Sequence, residues 1–213
     1  MKNNTELYLE QYKDIYDNNI ILNDNIPTTH NLNSFYNEIK NCTKCSLSKS
    51  RTKIVFGKGD PNADIVIVGE APGKNEDLEG EPFVGRGGKL LDKILWAINL
   101  NRKEVFILNV LKCRPPENRD PKPQEISECE PYLKKQLQII NPKLIVTLGR
   151  VAAMTLLKTK DSLTSMRNKI HKYENIDVIV TYHPAALLRN PNFKKPTWED
   201  FKLIRDKYIN GNK

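Results

Sequence analysis

Five consecutive apolar positions, Ile65-Val66-Ile67-Val68-Gly69, break directly into Glu70-Ala71-Pro72-Gly73. A strand with no polar face must be covered on both sides, which the parallel sheets of α/β proteins provide. Glu70 then stands at the carboxyl end of a central strand, where open α/β sheets gather their ligands. A carboxylate there is partly desolvated, a costly arrangement that a surface loop would avoid.

Three further runs repeat the pattern. With Ala63 to Gly69 as the first strand, Val105 to Val110, Lys143 to Leu148 and Asp177 to Thr181 supply a second, third and fourth. Helices are predicted over residues 34–41, 89–99, 124–140, 150–157 and 197–208. Of these, 89–99 carries Leu90, Leu91, Ile94, Leu95 and Ile98 on one face. Strands alternating with helices predict an α/β fold on a four-stranded parallel sheet, whose carboxyl ends share one edge. Glu70, Asn109, Gly149 and His183 lie at or just after those ends. A carboxylate, an amide and an imidazole are thereby expected in one crevice. His30 and His171 share no such edge and are expected at the surface.

Three segments lie outside this framework. The run Gly80-Glu81-Pro82-Phe83-Val84-Gly85-Arg86-Gly87-Gly88 is glycine-rich, as where something approaches the backbone closely. Phe83 in it either plugs the core or offers a flat stacking surface. It matches neither the P-loop nor the dinucleotide fingerprint. The segment Cys113-Arg114-Pro115-Pro116-Glu117-Asn118-Arg119-Asp120-Pro121-Lys122 is a proline-rich loop, and Lys112, Arg114, Arg119 and Lys122 are candidate phosphate contacts. Cys42 and Cys45, two residues apart, stand with the distant Cys113 and Cys129 as candidate metal ligands. Their spacing leaves an iron–sulfur cluster and zinc both open.

The chain carries a net charge of +8 over 213 residues. Residues 1–33 hold five acids and two lysines, so the basic excess belongs to the remainder and favours an anionic partner such as nucleic acid. That segment reads as an acidic, Asn-rich extension, helical around Leu7 to Tyr16, before a domain over 34–213. No run reaches the ~18 apolar residues of a membrane span. No basic start leads into an apolar stretch, which predicts a cytoplasmic protein with free or metal-bound cysteines.

Gly69-Glu70-Ala71-Pro72-Gly73 with Glu76-Asp77, Pro82-Phe83-Val84-Gly85 within the glycine-rich run, Asn109 to Pro116 with Cys113, and His183-Pro184-Ala185-Ala186-Leu187-Leu188-Arg189 together resemble the family 4 uracil-DNA glycosylases. The likeness covers about residues 34–208. It implies a three-layer α/β/α sandwich and an enzyme that hydrolyses the glycosidic bond of uracil in single- or double-stranded DNA; with no lysine singled out as an amine nucleophile, a monofunctional enzyme is expected, acting as a monomer. By the same likeness the four cysteines bind a 4Fe–4S cluster. Glu70, Asn109 and His183 match catalytic positions, with Gly69 and Ala71 offering backbone amides. Phe83 matches the residue that stacks on the extruded base, and Glu76 the position that excludes thymine. Leu187, Leu188 and Arg189 resemble the loop that wedges into DNA, with Arg114 and Arg119 as further contacts. Ala71 stands where other families of the superfamily carry an Asp or Asn. A DNA-binding redox sensor and a glycosylase for another damaged base are the alternative readings.

Overall fold

The computed structural model describes residues 28–211. The acidic start of the chain and its expected helix lie outside the described residues. The chain opens on helix α1 (Thr28–Ile39). Strands β1 (Lys58–Gly59) and β2 (Ile65–Gly69) follow, then helices α2 (Lys74–Glu79) and α3 (Arg86–Ala97), then β3 (Phe106–Asn109). Helix α4 (Pro123–Ile140), strand β4 (Leu144–Leu148) and helices α5 (Arg150–Leu157) and α6 (Leu163–Met166) come next. Strands β5 (Ile170–Tyr173) and β6 (Ile176–Thr181) precede helices α7 (Pro184–Arg189) and α8 (Lys194–Ile204).

The sheet order is β1-β3-β2-β4-β6-β5. The four inner strands run parallel, and each edge strand pairs antiparallel with its neighbour. The four expected strands are therefore the core of a six-stranded sheet. The two additions escaped the sequence for a physical reason. β1 is a two-residue Lys-Gly step, and β5 alternates exposed and half-buried positions, so neither leaves an apolar run.

Alternation along the inner strands builds the three layers. Val66, Val68, Leu108, Ile145 and Val178 face one way, onto α1, α4 and α5 through Phe35, Leu133, Leu137 and Leu156. Ile65, Ile67, Ile107, Val146 and Ile179 face the other, onto α3 and α8 through Leu91, Leu95, Phe201 and Ile204. At about 25 cal/mol per Å2 of apolar surface removed from water, this two-sided burial is the main force holding the sheet. Helix α1 begins six residues before the expected start at Ser34, so Ser34 lies inside it. Leu32, Phe35 and Ile39 form its buried stripe, and the Phe35 ring meets Phe56 and Tyr132 edge-on. That stripe begins ahead of position 34 and carries the helix across the expected domain boundary.

One buried ion pair fixes the far side of the sheet. Arg167 donates from Nε to Asp200 Oδ2 at 2.8 Å and from Nη2 to Asp200 Oδ1 at 3.0 Å. Thr181, the last residue of β6, donates its hydroxyl to Asp200 Oδ2 at 2.6 Å. Burial pushes the Asp200 carboxyl up, against the pull of these two donors. Replacing one partner of such a pair leaves a buried charge uncompensated. Arg167→Met is expected to cost about 3–5 kcal/mol in urea unfolding. Adding Asp200→Leu should recover most of that loss.

Candidate active site

The inner strands end on one edge, as the sequence implied. Gly69 and Asn109 are directly opposed in the β2–β3 register. Beyond them the chains stay zipped: Val110 N–H donates to Gly69 O at 2.9 Å and Leu111 N–H to Glu70 O at 3.0 Å. Across the sheet, Gly149 N–H donates to Thr181 O at 2.9 Å. Glu70, Asn109 and His183 are thereby brought to line one cleft of about 550 Å3, together with Ala71, Glu76 and Phe83.

Close backbone approach shapes this cleft. A Cβ on Gly69 would stand 2.3 Å from Asn109 Oδ1 and 2.7 Å from Phe83 Cζ. Gly69 does not line the cleft; it makes room for the two side chains that do. A Cβ on Gly88 would stand 1.7 Å from the Phe83 carbonyl oxygen, so α3 can begin there only with glycine.

Phe83 itself sits at φ +54°, a left-handed conformation rare for a side-chain-bearing residue. Its loop is held from both sides. The Glu76 carboxylate accepts from the N–H groups of Val84 (3.1 Å) and Gly85 (3.0 Å). The Arg102 guanidinium donates to the carbonyls of Pro82 and Phe83 and pairs with Asp92. So fixed, the ring is both core plug and cleft wall. It is buried, and it stacks on the His183 imidazole at 5.3 Å between centroids and 28° between planes.

The electrostatics assign protonation states. His183 caps helix α7 by accepting the Ala185 N–H on Nδ1 at 3.1 Å, so the neutral ring carries its proton on Nε2. Burial, then the Arg189 charge, lowers its pKa to about 4, with Glu76 opposing. Burial, then the Asp120 charge, raises that of Glu70. Asn109 is buried, and its Oδ1 has no hydrogen-bond partner. Leaving a buried acceptor unpaired costs about 1–3 kcal/mol.

The rim departs from expectation in several places. Leu187 on α7 is buried, while its neighbour Leu188 is 42% exposed. Arg119 lines the cleft with its guanidinium held by Glu125 at 2.6 and 2.9 Å. Arg114 donates to Asn118 at 2.8 Å and is not among the cleft residues. Lys112 is buried and faces no solvent. His171 is half-buried and hydrogen-bonded to the Met166 carbonyl at 2.7 Å rather than free at the surface. Instead Arg86, Arg150 and Arg189 are exposed on the cleft, each without a carboxylate partner among the described residues. The strand-edge rule that selected Gly149 would have found Arg150, its neighbour; Arg86 and Asp120 had no such signal.

A second cavity is lined by all four cysteines with Arg51, Lys112 and Tyr132. Hydrogen bonds converge on the sulfurs. Arg51 Nη1 donates to Cys113 Sγ (3.3 Å), Lys112 N–H to Cys129 Sγ (3.3 Å), and Lys44 N–H (3.5 Å) and Tyr132 Oη (3.2 Å) to Cys42 Sγ. Among the described residues no three His, Cys, Asp or Glu side chains form a group that would hold a metal ion. No helix among the described residues is long and apolar enough to cross a membrane.

Two measurements check this geometry. Because its folded pKa lies below the unfolded value of about 6.5, His183 contributes stability that is complete above that pH and fades as pH falls toward 4. Imidazole NMR should place its midpoint near 4. Gly69→Ala should leave a folded protein in which Asn109 and Phe83 are displaced, with at least a tenfold loss of whatever chemistry the cleft performs (about 1.4 kcal/mol).

Comparison with known proteins agrees with the architecture. The profile of the Uracil DNA glycosylase superfamily matches residues 56–202. The type-4 uracil-DNA glycosylase of Sulfurisphaera tokodaii is 51% identical over 178 residues, 79% of this chain and 81% of that protein. The type-4 enzyme of Archaeoglobus fulgidus is 46% identical over 81% of this chain and 91% of its own length. That of Saccharolobus solfataricus is 44% identical over 83% and 86%. The chain belongs to the uracil DNA glycosylase superfamily and, within it, to the type-4 uracil-DNA glycosylases.

Proposed function

We propose that the cleft removes uracil from DNA by hydrolysing its glycosidic bond, as the names of the type-4 relatives state of those proteins. The observation that carries this reading is the unpaired, buried Oδ1 of Asn109 on a cleft walled by the Phe83 ring. A flipped uracil presents an N3–H donor beside its O4 acceptor, so one amide satisfies both. Cytosine presents the reverse pattern and leaves the amide mismatched.

Extruding the base costs about a few kcal/mol, part of which stacking on Phe83 returns. As the C1′–N1 bond breaks, negative charge collects on the uracil. The neutral His183 ring donates from Nε2 toward uracil O2, with the Ala71 amide nearby. A histidine kept neutral by burial holds this donor without first losing a proton. Glu70 as a carboxylate faces the positive charge that develops on the sugar, stabilising it or orienting the attacking water. Glu76 acts one step removed: its hydrogen bonds to Val84 and Gly85 hold the loop that carries Phe83, so it shapes the space beside the base where a thymine methyl would fall. No lysine lines the cleft among the described residues, which fits hydrolysis without a lyase step.

Arg86, Arg150 and Arg189 are placed for the phosphates on either side of the flipped nucleotide, and Leu188 is the apolar residue available to fill the vacated stack.

The four cysteines fit a 4Fe–4S cluster. Three of the sulfurs, those of Cys42, Cys113 and Cys129, accept N–H and O–H donors from neutral or cationic groups, and the donors to Cys113 and Cys129 oppose the burial that pushes those two thiols up. The four side chains line one cavity, so they would surround a cluster rather than converge on a single ion. Cys42, Cys45, Cys113 and Cys129 would hold it, and it would supply a rigid tie between the loop after α1 and the segment after β3.

Incubation with single- and double-stranded oligonucleotides carrying uracil, hypoxanthine or a G·T mismatch tests the assignment. Uracil should yield an abasic site, and its absence would reject the enzyme reading in favour of a binding protein. Preferential release of hypoxanthine or thymine would reject the specificity. Asn109→Asp should lower uracil-over-cytosine preference by at least tenfold, one lost buried hydrogen bond (about 1–2 kcal/mol). The rate should fall on the acid side with a midpoint above the ordinary carboxylate value of 4.5, as Glu70 takes up a proton.

A further inference from the structure

Lys112 has no part in the reaction described above, yet it is among the largest side chains withdrawn completely from water. It lies three residues past Asn109 and immediately before Cys113. Its Nζ donates to the Asn109 main-chain carbonyl at 2.7 Å. Its backbone N–H donates to Cys129 Sγ at 3.3 Å, and its carbonyl accepts the Val55 N–H at 2.8 Å. It also lines the cysteine cavity.

Such burial needs a reason. A lysine ammonium withdrawn from water requires compensating negative charge, and no carboxylate among the described residues pairs with Lys112. The residue thus joins the cysteine cavity that it lines, through its backbone N–H on Cys129, to the strand end that carries the cleft amide, through its Nζ on the Asn109 carbonyl.

We propose that Lys112 is the positioning residue that couples the cysteine centre to the uracil-reading strand. Its ammonium is the counter-charge for the Cys113 and Cys129 thiolates and, through the same nitrogen, the clamp on the Asn109 carbonyl. This rests on the cluster reading given above. With a cluster bound, four thiolates supply the compensation that the ammonium needs. The lysine in turn holds Asn109 at a fixed distance from that centre, so its amide meets the base without local rearrangement.

Two substitutions separate the roles. Lys112→Gln removes the charge but keeps an N–H donor in reach of the Asn109 carbonyl. Lys112→Met removes both. Iron content and the broad visible absorbance of the unaltered protein are measured first; an iron-free chain would reject the cluster reading itself. In the iron-loaded variants, spectroelectrochemical titration should give a more negative cluster reduction potential for both, since a nearby positive charge favours the reduced form. The value of kcat/KM on uracil-containing DNA should fall about fivefold or more for methionine and less for glutamine, the cost of one lost hydrogen bond. Inhibition by free uracil should weaken in the same order.

An unchanged potential in both variants would overturn the counter-charge role. An unchanged kcat/KM in the iron-loaded methionine variant would overturn the coupling to Asn109. A general packing defect would lower stability in both without ordering the two readouts in this way. Should the methionine variant fail to fold, the glutamine variant still decides the charge role by its potential. Val55→Pro, which removes the N–H that meets the Lys112 carbonyl, then tests the coupling: the proposal expects weaker inhibition by free uracil, and unchanged inhibition would overturn it.

Discussion

Gly69 and Asn109 face each other across the β2–β3 ladder, and the space left by the missing side chain holds the site together. The amide and the Phe83 ring both occupy the volume that a Cβ would fill. This single constraint sets where the Asn109 amide and the Phe83 ring meet. The rest of the loop is arranged to hold that meeting. Glu76 takes two N–H groups, Arg102 takes two carbonyls, and Gly88 lets α3 start against Phe83 without a clash. A left-handed phenylalanine persists because its surroundings over-determine it.

The cleft also separates its charges. Burial and the nearby Arg189 keep His183 uncharged, while burial and Asp120 make Glu70 a weaker acid than usual. These shifts set a neutral imidazole and a carboxylate in the same cleft, and the exposed Arg86, Arg150 and Arg189 line it as well. Arg119, equally basic in the sequence, is taken out of this set by its two-point grip on Glu125 at the start of α4.

The end of β3 has two faces in this fold. One carries Asn109 into the cleft, and the other leads through Lys112 to Cys113 and, by a backbone hydrogen bond, to Cys129 in α4. The cysteine cavity is therefore joined to Asn109 by a few bonds through Lys112. Tyr132 and Arg51 complete the shell of donors around the sulfurs.

Much of this was legible in the chain. The inner strands announced themselves because burial on both faces leaves continuous apolar runs, and parallel topology then forces Glu70, Asn109 and His183 to a common edge. The edge strands were hidden because neither buries an apolar face. Sequence could not divide Leu187 from Leu188, since which of two neighbouring leucines turns inward depends on how α7 packs. Nor could it tell a solvated lysine from a sealed one at 112, or a free arginine from a paired one at 119. Periodicity and spacing record which residues need to be buried together; they do not record the partner a polar group finds after distant segments have met. The sequence thus determined the layered α/β frame and the residue types at its ligand-binding edge. Only the tertiary structure decided the protonation of His183, the vacancy beside Asn109 and the pairing of each cation, because these depend on contacts between segments far apart in the chain.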